Sequence, residues 1–133
     1  MRKGRAVRRQ INEGVTGMDD NKLLELSAKA YRIELEYRHG SDAYYYDDPE
    51  SGREQWDPLN CDAQALRLAV VMGRMERLGV AIHIVEPYDG DTGPYTYVDA
   101  ERFGEHTQYH HADPFAATRR AIVLAAARIG EFM

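Results

Sequence analysis

The last 21 residues, Asp113-Pro-Phe-Ala-Ala-Thr-Arg-Arg-Ala-Ile-Val-Leu-Ala-Ala-Ala-Arg-Ile-Gly-Glu-Phe-Met133, constrain the fold more than any other stretch. Asp113 can accept hydrogen bonds from the free N–H groups of a first helical turn, and Pro114 at the first helical position gives up no needed donor. At 3.6 residues per turn, Phe115, Thr118, Ile122, Ala125, Ala126, Ile129 and Phe132 fall on one stripe, with Arg120, Leu124, Arg128 and Glu131 roughly opposite. Small residues at 125–127 let the helix lie close to its neighbour. An apolar stripe of this length demands a partner layer, either a sheet or further helices.

The rest of the chain supplies both. Asp19 or Asp20 begins a helix that runs to about Ala30, and Ile33–Arg38 alternates as a strand with Ile33, Leu35 and Tyr37 on one side. His39–Asp42 is a turn, Ala43–Asp47 pairs back as a hairpin, and Asp48–Gly52 is a loop. Trp56-Asp-Pro-Leu59 leads into a helix that starts at Asn60 or Asp62 and stops near Gly79. Its wide apolar arc predicts the better buried of the two long helices, with Leu66 and Val70 on a flank. Val80–Val85 is nearly all apolar and reads as a strand covered on both faces. Tyr95–Asp99 and Gly104–His110 are two more strands joined through Ala100–Phe103. The expected class is α+β: a three-layer α/β/α sandwich around a largely antiparallel sheet, in the order α-β-β-α-β-β-β-α.

At 133 residues the chain is expected to make a single domain over residues 18–133. Five cations against Glu13 give residues 1–17 a net charge of +4, so the −5 of the whole chain leaves −9 on residues 18–133. The acidic body argues against a broad nucleic-acid face, leaving the basic arm as the one segment suited to phosphate. Gly14 and Gly17 mark that arm as a disordered segment or a start extension. No apolar run is long enough to span a bilayer, and no secretory signal is visible. The single cysteine excludes an internal disulfide and suits a reducing cytoplasm.

Trp56-Asp-Pro-Leu59 followed by Asp62-Ala-Gln-Ala-Leu-Arg-Leu-Ala69, together with Ala117–Gly130 and the opening Met18–Ala30, resembles the phage ABA-sandwich domain family. The resemblance covers residues 18–130. It implies an α/β/α domain from a tailed phage or prophage, located in the host cytoplasm, and it offers no catalytic residues to carry over.

Chemistry-bearing residues are scattered. His106 and His110 would lie about 13 Å apart on a strand, too far for one ion, so neither a metal nor another cofactor is expected. His83, between Ile82 and Ile84, reads as a core histidine. Cys61 near a helix start reads as a small buried residue, with a lowered thiol pKa as the alternative. Asp91-Thr-Gly93 reads as a turn rather than a protease motif. Arg119 sits at the edge of the terminal stripe; its stem lies over the core rim, or its guanidinium takes an anionic ligand. With Tyr44, Tyr46 and Trp56 it forms the candidate ligand set. The leading expectation is a non-enzymatic phage accessory protein that binds a host or phage protein or itself, with Leu124 and Val70 sealing a homodimer. The alternatives are a small-molecule site or hydrolase built on Arg119 and strand tyrosines, and nucleic-acid contact through the arm.

Overall fold

A computed structural model describes residues 15, 17–75, 78–86 and 93–133 of the chain. The expectations for Asp91 and Thr92, and for the basic arm apart from Val15 and Gly17, lie outside these residues. Val15 itself is fully buried in the main core, and its carbonyl accepts from the Met18 N–H at 3.1 Å.

Helix α1 spans Asp20–Tyr31. Asp19 caps it by accepting from the Lys22 N–H at 2.8 Å, and Arg32 ends it in the left-handed region at φ 64°. Strands β1 (Glu36–Arg38), β2 (Ala43–Asp48) and β3 (Gly52–Gln55) form one antiparallel sheet in that order. Helix α2 (Asp62–Arg74) follows, then β4 (Ala81–Val85), β5 (Tyr95–Asp99) and β6 (Glu105–Tyr109), which form a second antiparallel sheet in the order β4-β5-β6. A short 3₁₀ turn at Glu101–Phe103 joins β5 to β6, and α3 (Pro114–Gly130) closes the chain. Asp113 caps α3 as expected, accepting from the Phe115 and Ala116 N–H groups at 3.0 Å.

The α+β class, the antiparallel pairing and the general element order agree with the sequence, and the arrangement is compatible with a sandwich. Four details differ. Strand β1 begins at Glu36 rather than Ile33, α2 ends at Arg74 rather than near Gly79, the strands split into two three-stranded sheets instead of one, and β3 is an additional strand. Asp48 explains the latter: its carboxylate accepts from the Glu50 and Ser51 N–H groups, and Gly52 takes φ +82°, so the expected loop reverses the chain tightly enough for β3 to pair with β2.

Helix α3 is the hub. It packs on β5 and β6 on one side and on α1 and α2 on the other. Residues 121–127 are consequently buried without a break. That reverses two expectations: α3, not α2, is the better buried long helix, and Leu124, placed opposite the stripe, is only 1% exposed and cannot seal a dimer. Helix ends deviate the other way. Phe115 and Phe132 belong to the stripe by spacing yet are exposed, because Phe115 sits in the first turn of α3, which projects past the elements that cover its middle, and Phe132 lies beyond the helix end at Gly130.

The tightest contact lies at the end of α3. A Cβ built on Gly130 would stand 2.1 Å from the backbone carbonyl oxygen of Leu26, so only glycine lets α3 meet α1 there. A clash with backbone cannot be relieved by turning a side chain. Overpacking a close-packed site costs about 1–3 kcal/mol, and Gly130→Ala should fall at the upper end of that range. Urea unfolding should show a lower midpoint with an unchanged slope; a midpoint equal to the parent would disprove the close approach.

Candidate functional site

Helix α2 carries Leu66 and Val70 four residues apart, so both project from one face. Both are exposed, at 63% and 52%. In the second sheet the register pairs Ile82 with Val98 and Ile84 with Thr96, which places both isoleucines on the side that α3 covers. Helix α3, however, packs over β5 and β6, and α2 packs on helices rather than over β4. The inner face of β4 therefore looks into an open cleft of about 470 Å³, walled by Leu66 of α2, Ile82 and Ile84 of β4, and Phe115 and Ile122 of α3. Ile84 is 71% and Phe115 68% exposed. The expectation that β4 is covered on both faces is thus overturned. Its apolar composition reflects an uncovered sheet edge bordering the cleft. His83 is likewise no core histidine: it is exposed on the opposite face, stacked on Tyr97 at 4.5 Å.

The polar groups around the cleft are engaged. Arg119 lies at the rim, where its Nε donates to the Leu59 carbonyl at 2.7 Å and its Nη1 pairs with Asp62 at 2.6 Å. The guanidinium thereby ties α3 to the start of α2. Toward β5, Thr96 Oγ1 lies 2.7 Å from His110 Nε2 and 2.8 Å from Thr118 Oγ1. Thr96 is fully buried, so this hydroxyl cannot touch anything that enters the cleft.

The other candidate residues lie elsewhere. Tyr44 and Tyr46 share the helix-facing side of the first sheet, as their spacing requires, and do not border the cleft that Arg119 borders. The Tyr44 hydroxyl donates to Glu25, and burial followed by that carboxylate pushes its pKa up to about 12. Burial likewise raises the Tyr46 phenol to about 12. Trp56 is buried between Tyr31 and Tyr46, with ring centroids at 5.1 and 5.6 Å, and its indole N–H donates to the Leu24 carbonyl at 3.0 Å. Next to it, buried Gln64 accepts from the Asp57 N–H at 2.6 Å and donates to Glu54 and to the Gln55 carbonyl. Trp56–Leu59 is therefore a structural latch between the first sheet and the helices. Cys61 is half-buried at the N-cap of α2.

His106 lies on β6, and His110 follows the end of that strand. His106 is buried, and its Nε2 donates to the Phe103 carbonyl at 3.0 Å. Among the described residues no group of three His, Cys, Asp or Glu side chains could hold a metal ion, and no helix is long and apolar enough to cross a membrane.

This geometry defines a class: an α+β domain with an apolar cleft beside an uncapped sheet edge. No family model, curated protein or solved structure matches the chain. The sequence signals for the cleft were the off-arc Leu66 and the absence of any charge within Ala81–Val85.

Two measurements test these assignments. Burial lowers the His106 imidazole to about 4, well below its ordinary 6.5, so the folded state excludes a proton that the unfolded chain accepts. Stability should be complete above pH 6.5 and decline as pH falls toward 4, by up to about 3 kcal/mol. His106→Asn should remove the part of this decline between pH 6.5 and 5, where most carboxylates are still ionised; an unchanged slope would refute the assignment. Separately, Arg119→Ala should lower stability by about 1–2 kcal/mol, because it strips the part-buried Leu59 carbonyl of its donor. Asp62→Asn, at an exposed position, should cost far less in the same thermal melt.

Proposed function

We propose that this protein is a non-enzymatic binding domain whose working surface is the cleft and the β4 edge beside it, and whose ligand is a polypeptide. The observation that carries the reading is the concentration of exposed large apolar residues at one place: Leu66, Ile82, Ile84 and Phe115. A contiguous apolar patch on a soluble domain marks an interaction site, whereas scattered apolar residues do not. The adjacent open strand supplies main-chain hydrogen-bonding groups, the means by which sheet edges bind extended peptides. The acid–base side chains near the cleft are bonded to one another, and the hydroxyl at their centre is buried, which favours binding over catalysis.

A role as a phage accessory protein acting on a host or phage partner rests on the sequence resemblance. A small-molecule site or hydrolase has the cleft volume in its favour, within the usual range for ligands. Among the described residues lining the cleft it lacks a free cation, since Arg119 is occupied by Asp62 and Leu59, and the strand tyrosines lie elsewhere. Nucleic-acid contact through the basic arm depends on residues outside those described.

A photo-reactive phenylalanine at Leu66 or Ile84 should cross-link to polypeptide in cells that express the protein. The same group at exposed Lys29 or Gly40 should not. Equal yields at all four positions, or none at any, would reject the cleft face as the binding surface.

A further inference from the structure

We infer that the occupant of this face is a second copy of the chain, joined by antiparallel pairing of β4 with β4 about a two-fold axis at His83. The inference rests on the binding reading above and names its partner.

Backbone direction comes first. In an antiparallel ladder, successive residues point their N–H and C=O groups alternately at the two neighbouring strands. The His110 N–H donates to the Pro94 carbonyl, and the Ala100 N–H to the Gly104 carbonyl, each at 2.9 Å. These bonds assign the even-numbered residues from 94 to 100 to β6. Tyr95, Tyr97 and Asp99 therefore bond toward β4, where the register sets them opposite Val85, His83 and Ala81. The N–H and C=O groups of Ile82 and Ile84 are left facing the open edge. Among the described residues β4 pairs with β5 alone.

The strand is also its own complement. Ala81-Ile-His-Ile-Val85 is symmetric about His83 in size and polarity. A two-fold axis there sets Ile82 against Ile84 of the other copy, twice, and in each pair both residues aim their backbone groups across the axis. His83 meets its own copy at a position without hydrogen bonds, on the face where it stacks on Tyr97. The two three-stranded sheets become one of six strands. On the cleft side, each incoming strand brings its isoleucines toward Leu66, which lines the cleft beside β4.

Area and charge agree with this partner. The exposed apolar residues of this face present on the order of 500 Å² per copy, so mutual covering removes roughly 1,000 Å², the lower limit for a specific interface. Sheet edges that stay unpaired usually carry a guarding charge, and β4 carries none. The body bears a net −9 over residues 18–133, so two copies repel at long range, and an uncharged lane adds no local repulsion to that. Raising salt should therefore strengthen this association, whereas it would weaken the grip of a basic partner.

Sedimentation velocity on the full chain should give twice the 15.2 kDa protomer mass at micromolar concentration, with a dissociation constant that falls as salt rises. Ile84→Lys lies on an exposed side chain and should leave circular dichroism unchanged. It should weaken dimerisation roughly 100-fold, because the axis repeats the substitution. His83→Cys in a Cys61→Ser background should form an intermolecular disulfide under mild oxidation, while Lys29→Cys should not. A 15.2 kDa species up to millimolar concentration, or a dimer indifferent to Ile84→Lys that fails to cross-link through H83C, overturns the inference. In that event, cross-links from Leu66 or Ile84 to a different polypeptide would leave the binding function standing.

Discussion

The all-round burial of α3 is the constraint on which the other elements depend. A helix covered on every side must be apolar or small at nearly every position, and Ala121–Ala127 meets that demand. The alanines matter because they are small: they let α1, α2 and the second sheet all approach the same helix. Gly130 takes this to its limit, with the Leu26 carbonyl where a side chain would stand. Because α3 is fixed by two helices and a sheet, its first turn is fixed too. That turn holds Phe115 at the mouth of the cleft and Arg119 against Asp62.

The first sheet is attached by a different kind of chemistry. Trp56 buries its ring between two tyrosines and satisfies its N–H on the backbone of α1, and Gln64 hydrogen-bonds the link just outside it. Buried polar groups cost free energy unless paired, so these bonds determine the register of the link as well as its stability. The outer face of the same sheet carries an ion-pair set, with Arg53 between Glu36 and Asp47. That face is built for solvent, and the cleft face is not. This contrast between two faces of one small domain is the strongest support for assigning the work to β4 and its surroundings.

Legibility in the sequence divided along physical lines. Caps at Asp19 and Asp113, the alternation of Ile33–Arg38 and the turn at His39–Asp42 are local effects, carried by backbone donors and side chains a few residues apart. Each was readable. Strand β3 was not, because its formation depends on the side chain of Asp48 and the positive φ of Gly52 acting together. Leu124, Phe115 and His83 were misplaced for one shared reason: burial depends on what arrives from elsewhere in the chain. Helical spacing put Leu124 outside, but α3 has no outside along its middle. The same spacing put Phe115 inside, but nothing covers the first turn.

The sequence by itself determined the α+β class, the antiparallel strands and the capped terminal helix, because hydrogen bonding and periodicity act over neighbouring residues. It also determined that Ala81–Val85 is apolar and without charge. Only the tertiary structure decided whether that strand lies in a covered interior or at an open edge, since the answer depends on where α2 and α3 come to rest. They come to rest on each other and on β5 and β6. Among the described residues, close packing around α3 leaves no helix over β4, so the strand that reads as the most deeply buried keeps its isoleucines exposed.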